Sequence, residues 1–352
     1  MKMDMNQYII NEKATLLDAL QQLNKLSGKQ MVLLVTNHNN VLVGTLTDGD
    51  VRRALIDGVS LGDEVSKAMH TNFKAMKGDD VDVIMMRRCR KLGVGILPHL
   101  NNDGSIKEIY DLTVTKAKLP LSAILMAGGK GERLRPLTLN TPKPLLEIGG
   151  KAIIDYNIEA LASVGVTDIT VTTRYLANQI HNHFSQPVAG VQVKCVEETL
   201  PLGTIGSAAL VSRSEEGNTL VMNSDLLTTI SFEEMYMRHV EEGADVTIAA
   251  IPYVVSVPYA ILATNGVQVE GIEEKPTYSY YANAGIYIFS NKLLNTLPND
   301  ARTDATDLIE QAINANKKVV YYPINGTWID IGSPNDFKQA QDLMRHHNDL
   351  KK

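Results

Sequence analysis

The glycine-rich stretch Ser122–Pro144 holds the residues of this 352-residue chain whose types and spacing are best suited to chemistry. Its apolar run Ser122–Ala127 is short enough for a buried strand and stops at a cluster of glycines. Such glycines leave backbone N–H groups uncovered, so that a phosphate can approach closely. The glycines are Gly128, Gly129 and Gly131, and the cations that follow are Arg133, Arg135 and Lys143. The stretch therefore predicts a strand that leads into a triphosphate-binding loop.

Two common phosphate loops do not fit this stretch. The dinucleotide fingerprint G-x-G-x-x-G matches at Gly129-Lys130-Gly131, but its third glycine would fall on Leu134. A Walker A loop requires Gly-Lys followed by Ser or Thr, whereas Gly150-Lys151 is followed by Ala152. If the stretch binds phosphate, it must therefore belong to another class of phosphate-binding loop.

The stretch resembles the signature of the sugar 1-phosphate nucleotidylyltransferases, G-G-x-G-x-R-L-x-P-L-T followed by P-K-P. The matching segments are Gly128–Thr138 and Pro142–Pro144, and about ten positions agree with the correct spacing. The resemblance implies a Mg²⁺-dependent NDP-sugar pyrophosphorylase, which transfers a nucleoside monophosphate from a nucleoside triphosphate to a sugar 1-phosphate. It also implies roles in this loop: nucleotide binding for Ala127, Gly128, Gly129 and Gly131, and catalytic contacts to the phosphates for Arg133 and Lys143, with assistance from Arg135.

Five further segments extend the resemblance to Gly332. They are Pro201–Thr204 (P-L-G-T), Asn223–Asp225, Glu273–Pro276 (E-E-K-P), Asn283–Gly285 (N-A-G) and Trp328–Gly332 (W-x-D-I-G). By the same resemblance, Gly203, Thr204 and Asp225 bind the nucleotide, Glu274, Asn283 and Gly285 bind the sugar, Lys275 is catalytic at the sugar phosphate, and Asp225 and Asp330 bind Mg²⁺.

The residue types suit nucleotidyl transfer. The phosphate of a sugar 1-phosphate is already an anionic nucleophile at neutral pH, so no general base is required. The enzyme must instead align two polyanions and stabilise the charge on departing pyrophosphate. Mg²⁺ prefers carboxylate and phosphate oxygens and few protein ligands, so two aspartates from separate loops are sufficient.

Residues 119–352 are predicted to form the catalytic domain. Behind the short polar link Lys116–Pro120, apolar β-type runs alternate with helical patterns. This alternation predicts a Rossmann-like, doubly wound α/β domain with a parallel sheet and ligands at the carboxyl ends of its strands. The predicted strands include Asp168–Thr173, Val191–Val196, Thr219–Met222, Val246–Ile251 and Ala284–Phe289.

Residues 1–118 form an α+β repeat with an offset of about 63 residues. The first copy predicts a helix capped by Thr15, strands Met31–Val35 and Val41–Leu46, and a helix from about Asp48. The second copy predicts a helix at Asp80–Leu92 and strands at Gly95–Leu100 and Ile106–Tyr110.

This repeat resembles the tandem cystathionine β-synthase (CBS, Bateman) module, most clearly at Gly44–Asp50. The resemblance implies that Thr47 and Asp50 bind a regulatory nucleotide, with Arg52 or Arg53 near its phosphate. The second copy lacks a Thr-x-x-Asp at Ile109–Thr115, so at most one nucleotide site is expected. The alternative is a purely structural or dimerising module in which Thr47 and Asp50 cap a helix.

Charge, cysteine content and hydrophobic runs indicate which partners and which compartment to expect. Residues 1–118 carry 16 Lys/Arg against 14 Asp/Glu, and the remainder carries 18 against 26, which gives −6 overall. The absence of a basic stripe argues against nucleic-acid binding. Two distant cysteines offer no disulfide framework, and no apolar run approaches the ~18 residues of a membrane span. We expect a cytoplasmic protein and, because CBS modules commonly pair, a homo-oligomer.

The substrates are indicated by resemblance alone. The N-A-G-I-Y, P-L-G-T and W-x-D-I-G set resembles the mannose 1-phosphate guanylyltransferase branch. A CBS pair ahead of such a domain is similar to glucosamine 1-phosphate guanylyltransferases of legionaminic acid pathways. GTP is therefore favoured, with GDP-glucosamine or a GDP-hexose as product. UTP, dTTP and CTP stay open, as does a nucleotide-sensing regulatory pseudoenzyme acting through the CBS pair, although the intact Asp225, Asp330, Lys143 and Lys275 argue against it.

Overall fold

The computed structural model describes residues 4–79, 81–115 and 117–349, with side chains up to residue 345. The chain divides into two compact units, Met1–Leu119 and Pro120–Lys352. The predicted link Lys116–Pro120 spans this division, and its Lys116 lies outside the described residues. Among the described helices, none has the length and apolar character that a membrane span requires.

The N-terminal unit is a structural repeat. Each copy has a three-stranded sheet whose first two strands pair in parallel and whose last two pair antiparallel. The elements are β1 (Ile9–Asn11), α1 (Leu16–Lys25), β2 (Val32–Thr36), β3 (Leu42–Thr47), α2 (Asp48–Ile56), β4 (Met76–Lys77), α3 (Val83–Lys91), β5 (Ile96–Leu100) and β6 (Ile106–Asp111). The predicted helix Asp80–Leu92 is thus observed as α3, and Asp80 lies outside the described residues.

Local chemistry explains where the first helix begins. Thr15 caps α1 through a capping box with Asp18, and Leu16, Ala19 and Leu23 bury one face of the helix. That face joins a core in which Leu33 of the first copy and Ile109 of the second belong to the same cluster of buried residues. The second copy thus contributes to the core of the first, and it also has a separate core of its own around Met86 and Leu97.

The C-terminal unit is built on a seven-stranded sheet with the order β11-β10-β7-β12-β17-β14-β18. Its strands and helices are β7 (Leu121–Ala127), β8 (Glu147–Ile148), β9 (Lys151–Ala152), α4 (Ile153–Ser163), β10 (Asp168–Thr173), α5 (Ala177–His183), β11 (Lys194–Glu197), β12 (Asn218–Asn223), β13 (Leu226–Thr228), α6 (Phe232–Glu241), β14 (Val246–Ser256), β15 (Ile261–Asn265), β16 (Gln268–Glu273), β17 (Thr277–Ser290), α7 (Asn291–Leu294), α8 (Ala305–Asn314), β18 (Val319–Pro323), β19 (Trp328–Asp330) and α9 (Pro334–Asp349). The predicted doubly wound α/β class is confirmed.

The prediction that the sheet is parallel is wrong for one strand. β17 runs antiparallel to both β12 and β14, while the other pairs in the sheet are parallel. The reason is the connection: the hairpin β15-β16, not a crossover helix, lies between β14 and β17. The predicted strand Val191–Val196 is also displaced, since Val191 makes only an isolated bridge with Val188 and the strand begins at Lys194.

β14 and β17 continue beyond the sheet as a two-stranded ribbon. Pro252–Ser256 pairs with Thr277–Tyr281, while pairing of β14 with β18 ends at Ala250. Because β14 is parallel to β7 and β12, this ribbon leaves the sheet at the edge where those strands end. The Lys275 motif lies at the far end of the ribbon.

His239 on α6 is an internal histidine that provides a stability test. Its ring is 3% exposed, with Nδ1 2.8 Å from Thr247 Oγ1 and Nε2 3.0 Å from Asn218 Oδ1. Burial lowers the pKa of His239 from 6.5 to about 4, although the charge of Asp245 opposes the shift. The native state therefore holds this ring neutral at pH values where the unfolded chain is protonated.

We expect the free energy of unfolding to fall as pH drops from 7.5 to 5. The folded pKa lies below the unfolded one, so the stabilisation is complete above pH 6.5 and is lost as pH falls from 6.5 towards 4. The contribution of this ring at pH 5 is a loss of about 2 kcal/mol. Urea unfolding of the full chain at both pH values checks this. His239→Gln, which cannot be protonated, should show a pH dependence smaller by that amount; an equal dependence would contradict the assignment.

Candidate active site

A cleft of about 640 Å³ lies at the carboxyl edge of the sheet in the C-terminal unit. It is lined by the ends of β7 and β12 and by the loops that follow β7, β10, β11 and β12, which is where α/β sheets bind ligands. Nine of the residues predicted for the site lie in its lining: Ala127, Gly128, Gly129, Gly131, Arg133, Lys143, Gly203, Thr204 and Asp225.

The glycine loop is shaped by contacts that exclude side chains. Gly131 has a left-handed φ of +60°, and the Thr138 hydroxyl donates a hydrogen bond of 2.8 Å to its carbonyl oxygen. A Cβ on Gly131 would stand 3.0 Å from Thr138 Cγ2 and 3.2 Å from Lys143 Cβ. A Cβ on Gly128 would stand 2.7 Å from Glu198 Oε1. A side chain at 128 would therefore displace the Glu198 carboxyl from its position against the loop.

Short strand pairing brings the two predicted metal aspartates together. β13 pairs antiparallel with β19, with Leu226 opposite Asp330, and the Ile331 N–H donates to the Asp225 carbonyl oxygen at 3.2 Å. Between the two carboxylates lies Lys143, whose Nζ donates to Asp225 Oδ2 and stands 3.6 Å from Asp330 Oδ1. Two carboxylates and a lysine, more than 80 residues apart in sequence, form one cluster.

The electrostatics of this cluster suit a hard cation. Burial raises the pKa of Asp330, and the neighbouring Asp225 raises it further, against the opposing charges of Lys143 and Arg133. The Oδ1 atom of Asp225 is buried and has no hydrogen-bond partner. An unpartnered carboxylate oxygen beside a second carboxylate is the donor set that Mg²⁺ prefers. Among the described residues no group of three or more His, Cys, Asp or Glu side chains could hold a metal, so other ligands would come from phosphate and water.

The predicted sugar residues divide into two groups. Gly285 has a left-handed φ of +71°, and its N–H donates to Asn283 Oδ1 at 2.9 Å. It packs on the cleft residue Asn223, whose Nδ2 would be 2.5 Å from a Cβ placed on Gly285. Glu274 and Lys275 are exposed at the turn between β16 and β17, and neither lines the cleft of the described chain. Lys275 has a left-handed φ of +46°. The structure therefore brings Asn283 and Gly285 to the edge of the cleft, but not Glu274 and Lys275.

Four charged residues that sequence reasoning missed also line the cleft: Glu132, Arg174, Glu198 and Arg302. Glu198 is 7% exposed and accepts hydrogen bonds from the Leu202 N–H and the Ser207 hydroxyl. Burial raises its pKa, and Arg174 opposes the rise. The only available signal was position, since Arg174 and Glu198 directly follow β10 and β11. A buried carboxylate would repel a phosphate, so its presence in this cleft indicates a role other than phosphate binding.

The P-L-G-T segment, Pro201–Thr204, is held by hydrogen bonds to the start of α8. The Thr204 N–H donates to Asp304 Oδ1 at 3.0 Å, and the Ala305 N–H donates to the Thr204 hydroxyl at 2.8 Å. Gly203 has φ +85°, and a Cβ there would stand 2.5 Å from the Thr303 carbonyl oxygen. These contacts fix the positions of Gly203 and Thr204, the two residues predicted to bind the nucleotide.

Gly203→Ala is expected to displace this loop, because alanine has both a strained φ and a backbone clash at this position. We expect the unfolding free energy to fall by at least about 2 kcal/mol, and the KM for nucleotide to rise. Gly190→Ala is the matched control, since Gly190 has a similar φ of +78° with nothing within 4 Å. Urea unfolding and initial rates compare the two. Equal effects of both substitutions would show that the Thr303 contact is unimportant.

In the N-terminal unit, Thr47 and Asp50 form the capping box of α2. The Thr47 hydroxyl accepts from the Asp50 N–H at 3.3 Å and donates to Asp50 Oδ2 at 2.6 Å, while Arg53 pairs with Asp50 Oδ1 at 2.6 Å. This is the capping role that the sequence left as the alternative. A nucleotide-binding role for the two residues stays a prediction.

Comparison with known proteins gives one family for the C-terminal unit. The family model for nucleotidyl transferases matches residues 122–347, more than half of the chain. A protein of Sulfolobus acidocaldarius named for mannose-1-phosphate guanyltransferase activity is 33% identical over 221 residues, 62% of this chain and 61% of that protein. The mannose-1-phosphate guanylyltransferase catalytic subunit beta of Dictyostelium discoideum is 31% identical over 232 residues, 63% of this chain and 64% of that protein.

The chain thus spans less than two thirds of the length of these relatives. Among solved structures, HddC from Yersinia pseudotuberculosis is similar in fold, with a TM-score of 0.50 at 24% identity over 63% of this chain and 99% of that one. The family match covers the glycine loop, the P-L-G-T loop, Asp225 of the cleft and the neighbouring Asp330. The chain belongs to the nucleotidyl transferase family.

Proposed function

We propose that this chain transfers GMP from GTP to a sugar 1-phosphate and releases pyrophosphate. The observation that carries the proposal is the cluster of Lys143 between Asp225 and Asp330, which opens onto the same cleft as the glycine loop. Cations and backbone N–H groups on one side, and a carboxylate pair on the other, match the charges of a triphosphate and its metal.

The reaction needs positioning more than proton transfer. An oxygen of the sugar phosphate attacks the α-phosphorus in line, the bond to the bridging oxygen of the β-phosphate breaks, and pyrophosphate leaves with the electron pair. Arg133 and Lys143 stabilise the charge that accumulates on pyrophosphate, and the glycine-loop N–H groups orient the triphosphate. No side chain has to remove a proton from the nucleophile.

Asp225 and Asp330 would hold the metal, with the unpartnered Asp225 Oδ1 as one available ligand atom. When bound, Mg²⁺ supplies charge neutralisation and orientation of the phosphate oxygens. The exposed loop cation Arg302, whose guanidinium lies 3.2 Å from Asp304, is assigned with Lys275 to the incoming sugar phosphate. Asn283 and Gly285 are assigned to the sugar.

Glu198 is assigned to base selection. The Watson–Crick edge of guanine presents two adjacent donors, N1–H and the N2 amino group, whereas uracil and thymine present one donor flanked by acceptors. An ionised carboxylate can accept hydrogen bonds from both guanine donors at once. No other base offers it an equally good pair of donors. The hydrogen bonds from Leu202 and Ser207, with the charge of Arg174, favour this ionised form against burial. This supports GTP over UTP, dTTP, CTP and ATP.

The sugar is proposed as an aminohexose or hexose, giving GDP-glucosamine or a GDP-hexose such as GDP-mannose. Pyrophosphate release with Mg²⁺, measured for five nucleoside triphosphates against mannose, glucosamine, glucose, N-acetylglucosamine and heptose 1-phosphates, tests base and sugar together. Release only with GTP is the expected outcome. Absence of release from folded protein across the panel would contradict an active transferase and favour the regulatory pseudoenzyme.

The N-terminal unit is proposed as a CBS module that binds one regulatory nucleotide near Thr47 and Asp50. The support is the repeat itself and the cations Arg52 and Arg53 beside that motif. Calorimetry of the full chain with AMP, ATP and GTP tests this. Heat that disappears in Thr47→Val but persists in Asp225→Asn would support a separate site; heat that depends only on Asp225 would limit nucleotide binding to the cleft.

A further inference from the structure

We propose that Lys143 is an exchangeable internal cation: it neutralises Asp225 and Asp330 until a divalent metal arrives with the nucleotide, and it then transfers to the triphosphate. This inference rests on the proposed function and deepens it, because it assigns to one residue the coupling between metal and nucleotide binding. The consequence is that metal alone binds weakly and metal with nucleotide binds well.

Geometry places the ammonium group in competition with a metal. The Lys143 side chain is 12% exposed, and its Nζ contacts the carboxylate of Asp225 directly while standing 3.6 Å from Asp330 Oδ1. These are the carboxylates assigned to the metal. A divalent cation held by these carboxylates would have to share them with the Nζ, and like charges at such short range repel strongly. Both cations therefore cannot keep their full contacts with the pair.

The backbone holds Lys143 at this position. It begins the short 3₁₀-helix Lys143–Leu145 after Pro142, and the Leu146 N–H donates to its carbonyl oxygen at 3.1 Å. Its Cβ also packs near Gly131, at 3.2 Å from where a Cβ on that glycine would lie. The lysine thus links the glycine loop, where the triphosphate is assigned, to the carboxylate pair. Because the backbone is held in place and the side chain is flexible, the ammonium group can contact either the carboxylate pair or the triphosphate.

Charge counting shows when the exchange is favourable. Two carboxylates are balanced by Lys143, which contacts both, and by the charge of Arg133, which acts on Asp330. The Arg133 guanidinium lies 3.6 to 3.7 Å from the Cβ position of Gly332. Adding a divalent cation to this balanced cluster creates a net positive charge in a partly buried site, which is costly. A triphosphate brings several negative charges and gives both side chains new partners. Metal binding is then favourable together with the nucleotide, and the coupling is reciprocal.

The test measures Mn²⁺ binding to the full chain without nucleotide, by the electron paramagnetic resonance signal of free Mn²⁺. Lys143→Met is expected to tighten the Kd for Mn²⁺ by about tenfold or more, since the two carboxylates lose their competing ammonium. Lys143→Arg, which keeps the charge, should bind Mn²⁺ as weakly as the unmodified chain. The gain should vanish in the double variant Lys143→Met/Asp225→Asn. Lys151→Met is the matched control, because it removes a Lys–Glu pair (2.7 Å to Glu159) outside the cleft.

Equal or weaker Mn²⁺ binding by folded Lys143→Met overturns the proposal, as does equal tightening by Lys151→Met. The proposed function can fail separately. If the unmodified chain binds Mn²⁺ with GTP and releases pyrophosphate while Lys143→Met shows no gain, only the exchange is wrong. If no variant binds Mn²⁺ even with a non-hydrolysable GTP analogue, the metal assignment of the proposed function fails as well.

Discussion

Asp225→Asn is expected to lower kcat/KM for GTP-dependent pyrophosphate release by at least about a thousandfold. Asparagine has nearly the same shape, so the β13–β19 pairing should survive, but a neutral amide cannot balance Lys143 or hold a divalent cation as a carboxylate does. The loss is expected in kcat as well as in KM, because the metal neutralises charge that grows as pyrophosphate leaves.

Asp168→Asn is the control for removing a salt-bridged aspartate. Asp168 pairs with Lys194 at 2.8 Å on an exposed part of β10, away from the cleft, and its loss should leave turnover within about twofold. Initial-rate measurements on both variants, with urea unfolding to show that each is folded, give the comparison. Turnover within tenfold of normal in Asp225→Asn would contradict the role of this aspartate.

Glu198→Gln is expected to remove most of the preference for guanine. The glutamine amide can accept only one of the two guanine donors, and its NH₂ group would face the other, so kcat/KM for GTP should fall by about a hundredfold. Uracil has acceptors beside its single donor, so it fits an amide better than a carboxylate. The ratio of kcat/KM for GTP to kcat/KM for UTP should therefore fall by a larger factor than kcat/KM for GTP does.

The neighbouring glutamate provides the matched control. Glu197 is exposed where Glu198 is buried, so Glu197→Gln should leave both the GTP rate and the GTP/UTP ratio unchanged. Competition between the triphosphates in one reaction, followed by chromatography of the sugar nucleotides, measures the ratio directly. An unchanged ratio in Glu198→Gln would show that this carboxylate does not select the base.

The parts of the site that were predictable from sequence depend on local backbone chemistry. The glycine loop after β7 needs residues without side chains, and the pattern of glycines and cations identifies such a loop wherever it lies. Its contacts with Thr138 and Glu198 explain why glycine stands at 131 and 128. The α/β class was predictable for a similar reason, since strand and helix periodicities are local.

The rest depends on contacts between distant segments, which composition and spacing do not encode. The proximity of Asp225 and Asp330 follows from the pairing of two three-residue strands about a hundred residues apart, too short for a distinct pattern. Glu198 carries no signature of burial, and the antiparallel direction of β17 depends on a hairpin that the predicted parallel sheet did not include. For Lys275 the motif was recognisable in the sequence, but its location on an exposed ribbon could not be predicted.

The most direct test of the central proposal follows isotope from the sugar phosphate into product. Sugar 1-phosphate with ¹⁸O in its non-bridging phosphate oxygens is incubated with GTP and Mg²⁺, and the products are analysed by mass spectrometry. Attack of the sugar phosphate on the α-phosphorus predicts that all label stays in the GDP-sugar and that pyrophosphate is unlabelled. Label in pyrophosphate, or loss of label from the GDP-sugar, would contradict nucleotidyl transfer by this cleft.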